Sequence, residues 1–268
     1  MDMTNRTAIV TGGGHGIGRA LAEALAQRGA RVVVADVHVE RARKIADRIG
    51  GLAVECDVGD PASVQSLVVD AVQAFGPVAV AVSNAGIGDQ GPDLASTPEQ
   101  VRRIVDVNLL AHVWLAQEVL PGMIERGEGA LIQTISSAAL ITGPSGMGYT
   151  LTKHGALGFA EWVTLNHRHH GIDVVCLCPN AVNTGMLGRD EDDGGETASL
   201  DPDLLAALGE VVEPEECAAA ALAALDAGEF LALPHPRVRE SFARKANDYD
   251  EWLERTAARL RRMRGETT

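Results

Sequence analysis

Tyr149 and Lys153 stand four residues apart in GYTLTK, inside a segment whose periodicity predicts a helix over 148–169. That spacing puts both side chains on one helical face, one turn apart. An ammonium beside a phenol favours the phenolate. Lys153 is therefore expected to bring the Tyr149 pKa down to where the tyrosine serves as general acid and base. Ser136 and Ser137 end the preceding strand and offer a hydroxyl to hold a substrate oxygen beside the tyrosine. A second group of residues opens the chain. Thr11-Gly12-Gly13-Gly14-His15-Gly16-Ile17-Gly18 follows a short apolar run and leads into an amphipathic segment. A glycine-rich strand-to-helix turn lets the backbone approach a pyrophosphate, and the helix N-terminus presents N–H groups to it. The next strand ends in Asp36, where a carboxylate accepts the adenosine ribose hydroxyls and repels a 2′-phosphate. Turn and acid together point to a dinucleotide site that prefers NAD to NADP. A protonated His15 near the phosphates would work the other way and tolerate NADP.

Short apolar, β-branched runs that alternate with longer helical patterns must position these residues. Strands are expected at Thr7–Thr11, Arg31–Asp36, Leu52–Cys56, Val78–Ser83, Ala130–Ser136, Asp173–Cys178 and Phe230–Leu233. Helices are expected at 16–28, 38–49, 61–75, 98–126, 148–169 and 214–227. TAIVT and VAVAV are apolar throughout, as strands buried on both faces of a parallel sheet must be. The alternation predicts an α/β fold, a single doubly wound sheet with right-handed crossovers. Residues 186–213 interrupt the rhythm with an acidic, Gly-broken stretch after the sixth strand. Ligands of open α/β sheets bind outside the carboxyl ends of the strands, so this stretch is read as a substrate lid. Residues 236–268 are charged and helix-forming, a C-terminal extension of the domain spanning 1–235.

Composition narrows the function classes. The 268 residues carry a formal charge of −14, with 46% hydrophobic and 22% charged residues. Apolar content this high argues against a disordered chain, and the negative charge against a nucleic-acid partner. No apolar run reaches the roughly 18 residues of a spanning helix, and no cleavable signal pattern opens the chain. Cys56, Cys176, Cys178 and Cys217 form neither a disulfide framework nor a CxxC pair. The expectation is a cytoplasmic protein. His167, His169 and His170 end a helix, where cationic side chains complement its dipole, and no metal site is expected there.

In order and spacing, TGGGHGIG, Asp36, Cys56-Asp57-Val58, Ser83-Asn84-Ala85-Gly86, Asn108, Ser137 and YTLTK resemble the short-chain dehydrogenase/reductase family over about residues 5–233. The resemblance implies a Rossmann domain with a seven-stranded parallel sheet that binds NAD. Gly12, Gly14, His15, Gly16, Ile17 and Gly18 would form the pyrophosphate turn. Asp36 would meet the ribose, Asp57 and Val58 the adenine, and Asn84, Ala85 and Gly86 the cofactor ribose. Tyr149 would exchange a proton with the substrate oxygen while hydride moves to or from the nicotinamide. Lys153 would lower the tyrosine pKa and bind the nicotinamide ribose, Ser137 would orient the substrate oxygen, and Asn108 would hold a water in a proton relay. Pro179, Val182 and Thr184 would grip the carboxamide end. A homodimer or homotetramer is implied, with Trp114 and Trp162 on long helices that commonly make subunit contacts.

The chain departs from the family pattern in three places. Tyr149 follows Ser137 by 12 residues, one fewer than is common; Ser136 restores the spacing, but the strand LIQTISS puts Ser137 in register. Pro179-Asn180 replaces the usual Pro-Gly, with Asn expected to tolerate a left-handed turn. Ser83-Asn84 replaces Asn-Asn. Leu140, Ile141, Met147, Ala181, Met186 and Leu187 would line an apolar pocket suited to a hydrophobic secondary alcohol or ketone. The reading is an NAD-dependent alcohol dehydrogenase, with an NADPH-dependent carbonyl reductase and a non-catalytic NAD-binding regulatory protein as rivals.

Overall fold

The computed structural model describes residues 1–89, 93–185, 209–263 and 265–266. Its centre is a seven-stranded, all-parallel sheet. The strands are β1 (Thr7–Thr11), β2 (Arg31–Asp36), β3 (Leu52–Glu55), β4 (Val78–Ser83), β5 (Gly129–Thr134), β6 (Ile172–Leu177) and, later in the chain, β9 (Leu231–Ala232). They lie in the order β3-β2-β1-β4-β5-β6-β9. Every residue of β1, β4 and β5 is buried, including the polar Thr7, Thr11, Gln133 and Thr134, which accounts for the apolar runs between them. β3 is the edge strand and is only half-buried.

Helices cover both faces. α1 (Gly16–Gln27), α2 (Val39–Ile49) and α7 (Pro214–Ala227) pack on one side, where Leu21, Leu25, Val34, Val80, Ile132 and Leu222 meet. α3 (Pro61–Phe75), α5 (Ala111–Arg126) and α6 (Met147–His167) pack on the other, over Ile9, Leu67, Leu115, Leu131, Ile135 and Cys176. Local sequence sets the helix starts. Asp60 caps α3 with Pro61 at its first position, and Thr97 and Gln100 form a reciprocal capping box at the start of α4 (Pro98–Val105).

The helix expected over 98–126 is three pieces. Between α4 and α5, residues Asp106–Leu110 form one π-helical turn, a widening that single-residue inserts produce and that recurs at functional sites. The strands expected at Ala130–Ser136 and Phe230–Leu233 end earlier, leaving Ser136 and Ser137 beyond β5 at the start of a 3₁₀ turn. Two short strands, β7 (Ala181–Val182) and β8 (Val211–Val212), pair in parallel apart from the main sheet. The extension over 236–268 holds α8 (Pro236–Asn247) and α9 (Tyr249–Met263). α8 is anchored by Lys245, whose ammonium donates to Leu140 O at 2.9 Å and lies over the Tyr249 and Trp252 rings. Most of the expected lid, 186–208, lies outside the described residues. No helix among the described residues is long and apolar enough to cross a membrane.

Leu21 of α1 has no exposed surface and sits at the centre of one helix layer. Leu21→Ala is expected to cost about 3 kcal/mol of unfolding free energy. Urea unfolding of the two proteins measures it, and a loss under about 1 kcal/mol would show that this layer collapses around the cavity.

Candidate active site

Strand order reverses between β1 and β4, and a cleft of about 370 Å³ opens at the carboxyl ends of the strands there. The glycine turn after β1 forms its floor. Gly12 and Gly16 hold φ of +61° and +52°, a region side chains disfavour. A side chain on Gly12 would also meet Ala85 Cα at 2.8 Å, and one on Gly18 would collide with Gly12 O. Gly18 therefore serves close packing of α1 on the turn, and the cleft is lined by Gly12, His15, Gly16 and Ile17. His15 is the N-cap residue of α1 but caps no N–H with its side chain, and no acid occupies the first turn. A helix N-terminus without its own anion suits a pyrophosphate.

Asp36 closes the far end. It is 4% exposed, with Oδ2 accepting from Gly14 N and Oδ1 from His38 N, each at 3.0 Å. Burial alone would raise its pKa. His15, whose Nδ1 lies 3.9 Å away, and the two N–H donors outweigh burial and hold the carboxyl below the usual range. Gly14 thus contributes by bracing Asp36. Asp57 and Val58 line the same end, but the Asp57 side chain is gripped on both oxygens by Arg103 of α4 at 3.0 Å. Arg103 also lines the cleft, and nothing in its surroundings in the sequence marked it.

The other end holds the proton-transfer candidates. Lys153 is fully buried and donates to Thr134 O at 3.2 Å; burial depresses its pKa to about 8. Its Nζ lies 5.4 Å from the centre of the Tyr149 ring. Here the expected lowering of the Tyr149 pKa does not appear. Burial raises it, Cys178 and Asp89 add to the rise, and the Ser136 hydroxyl, hydrogen-bonded to the phenol, opposes it. Asn108 lies in the π turn. The π turn aims its amide at the loop after β4, where Oδ1 accepts from Ile87 N and Nδ2 donates to Ile87 O, both at 2.8 Å. These two bonds use one of the amide's two N–H donors and one lone pair of its oxygen, and they fasten the loop after β4 to the π turn. Asn84 likewise turns its amide to Thr11 O and Gly12 O, tying β4 to the glycine turn, while Ala85 and Gly86 line the cleft. One turn beyond Asn108, His112 is wholly buried, held neutral with a pKa of about 3 by burial and Lys153.

The two serines are placed differently. Ser136 lines the cleft and contacts Tyr149, whereas Ser137 Oγ turns away and donates to Asn180 Oδ1 at 3.2 Å. The cause lies in the departure after β6. With Asn in place of Gly at 180, a side-chain acceptor becomes available to Ser137, whose N–H already donates to Pro179 O at 2.7 Å. Asn180 does not take the left-handed conformation expected of it, since Asn5 is the one described non-Gly residue with positive φ. His235 braces this turn instead: Nδ1 accepts from Asn180 N at 3.1 Å, and Nε2 donates to Ala181 O and Glu210 O. Pro179, Val182 and Thr184 line the cleft beyond it. Of the apolar pocket expected, Leu140 and Ala181 are buried in packing, Met147 is 39% exposed, and Met186 and Leu187 lie outside the described residues. Among the described residues no three His, Cys, Asp or Glu are grouped to hold a metal.

The sequence profile of the short chain dehydrogenases matches residues 6–194. A 2,5-dichloro-2,5-cyclohexadiene-1,4-diol dehydrogenase of Sphingobium indicum is 36% identical over 237 residues, covering 86% of this chain and 94% of the relative. A cyclohexanol dehydrogenase of an Acinetobacter species is 34% identical, with 80% and 85% covered. Among solved structures, a short chain dehydrogenase/reductase from Burkholderia phymatum in complex with NAD superposes with a TM-score of 0.82 at 26% identity, covering 93% of this chain and 96% of that one. The chain belongs to the short chain dehydrogenase family and is an oxidoreductase.

Proposed function

We propose that the protein is an NAD-dependent dehydrogenase that interconverts an apolar secondary alcohol and its ketone. The observation that carries this reading is the pairing, in one cleft, of the Ser136–Tyr149–Lys153 group with Asp36 at the opposite end. The relatives named for a cyclohexadienediol and for cyclohexanol favour ring alcohols, in keeping with the Ile87, Val107 and Ile135 side chains along the cleft. An oligomer built on α6, where Trp162 and Leu165 are exposed, belongs to the same proposal.

The residues fit a bound dinucleotide: an uncapped helix N-terminus behind a glycine turn, a buried carboxylate for the ribose, and Lys153 at the nicotinamide end. A bound NAD would supply the acceptor for the hydride of the carbinol carbon. The chain handles the rest. Ser136 donates to the substrate oxygen and fixes it beside the phenol. Tyr149 takes the hydroxyl proton during oxidation and returns it during reduction. Lys153 is cationic below its pKa of about 8, and its charge, anchored at Thr134 O, stabilises the phenolate that proton acceptance requires. Because burial keeps Tyr149 in the phenol form, ketone reduction finds its proton ready at neutral pH, and oxidation gains from rising pH.

Steady-state assays test these roles. Tyr149→Phe is expected to lower turnover of cyclohexanol with NAD by about a thousandfold while NADH binding, followed by fluorescence, stays intact. Unchanged turnover would remove the tyrosine from the chemistry. Ser136→Ala should lower kcat by at least about a hundredfold, and Ser137→Ala far less, through the Asn180 turn alone. The opposite ranking would return the role to Ser137. Wild type should bind NADH more tightly than NADPH in calorimetry, and Asp36→Ala should erode that preference from the NADH side. An initial preference for NADPH would sink the cofactor assignment and turn the proposal toward carbonyl reduction.

A further inference from the structure

The catalytic helix α6 starts without a cap of its own. Its N-cap residue, Gly146, has no side chain to accept from the first-turn N–H groups. A carboxylate from elsewhere takes that place. Asp89, in the loop after β4, accepts the Tyr149 N–H on both oxygens, at 3.1 Å and 3.3 Å. The Gly146-Met147-Gly148-Tyr149 sequence is shaped around this approach. A side chain on Gly146 would occupy the space of the Asp89 carboxylate, and one on Gly148 would stand 2.8 Å from its Oδ1. The loop that carries Asp89 is itself held by Asn108 at Ile87. Asn108, Ile87, Asp89 and Tyr149 therefore form one brace from the π turn, across the loop after β4, to the start of α6.

We propose that Asp89 is the positioning residue of Tyr149: its carboxylate caps α6 from outside the helix, fixes the tyrosine's main chain, and sets a negative charge against the phenolate. The proposal rests on the reading of Tyr149 as the proton-transfer group. A neutral acceptor would satisfy the N–H equally well, so the charge has a consequence of its own. The groups that face Tyr149 are the Ser136 hydroxyl, the Lys153 ammonium, the Cys178 thiol and Asp89. Cys178 stays protonated, its pKa pushed up to about 12 by burial, and His112 beside Lys153 stays neutral. Among these groups Asp89 alone supplies negative charge, and that charge favours the phenol. It also offsets the positive end of the α6 dipole, which would otherwise favour the phenolate.

The chain has two tyrosines, so in a Tyr249→Phe background phenolate absorbance reports Tyr149 alone. The test compares Asp89→Asn and Asp89→Ala in this full-length background without ligand, then in cyclohexanol oxidation with NAD. Asp89→Asn, which keeps an acceptor oxygen, is expected to lower the titration midpoint by about half a unit to one unit and to shift the pH profile of kcat by the same amount. Asp89→Ala is expected to lower the midpoint equally and also to reduce kcat about tenfold, with KM for NAD little changed; Asn restores that kcat. An unmoved midpoint in Asp89→Asn overturns the proposal, as does a fall in melting temperature with no change in midpoint or profile. The titration needs no turnover, so it stands apart from the fate of the Tyr149→Phe experiment.

Discussion

Where neighbouring strands of a parallel sheet send their crossovers in opposite directions, their ends splay and their peptide groups lose sheet partners. Side chains must satisfy those groups, and the cleft exists because they do so without filling it. Thr11 at the end of β1 donates to Val82 O and accepts from Asn84 N and Ala85 N at 3.0 Å and 3.3 Å. Asn84 returns two bonds to Thr11 O and Gly12 O. This staple fixes the glycine turn against the loop after β4, and that loop in turn is held by Asn108 at Ile87 and reaches the Tyr149 N–H through its own Asp89. The ribose-side and proton-transfer ends of the cleft are thereby held at a constant separation by buried hydrogen bonds whose loss would leave peptide groups unsatisfied.

Burial shapes the electrostatics of the proton-transfer end more than any single partner does. It moves Tyr149 toward the phenol and Lys153 toward the amine, so each group is pushed to its neutral form. The polar contacts that remain work against that tendency: Ser136 at the phenol oxygen and Thr134 O at the ammonium. At neutral pH the pair is therefore a phenol beside an ammonium, each held closer to its neutral form than it would be in water.

How much of this was legible in the residues follows from how local each cause is. TAIVT and VAVAV announced strands buried on both faces because two-sided burial permits no polar position. The glycine turn, Asp36 and the Tyr149–Lys153 pair were legible for the same reason, each being a short pattern with a local physical need. The π turn at 106–110 left no trace, since one widened turn barely disturbs an apolar stripe read at helical spacing. Between Ser136 and Ser137 the sequence favours Ser137 on strand register, against a spacing that favours Ser136. The contact that turns Ser137 away from Ser136's side of the structure, Ser137 to Asn180, spans 43 residues. Arg103 on Asp57 and Asp89 on the Tyr149 N–H are equally nonlocal, joining loop and helix residues across 46 and 60 positions.

The brace at His235 bears on how this scaffold could diversify. One imidazole holds Ala181 O and Glu210 O together, and β7 pairs with β8 just beside it. Asn183 adds a main-chain bond to Val212 O and a side-chain bond to Glu213. The chain at 181–183 and the chain at 210–213 thus form a stem closed by its own hydrogen bonds. Closure entropy grows only slowly with chain length, so two stretches pinned in this way keep their pairing with little regard to the length of chain that joins them. Ser136, Tyr149 and Lys153 all lie outside this stem, which makes the stem a natural boundary at which sequence can be exchanged, by evolution or by grafting, without touching them.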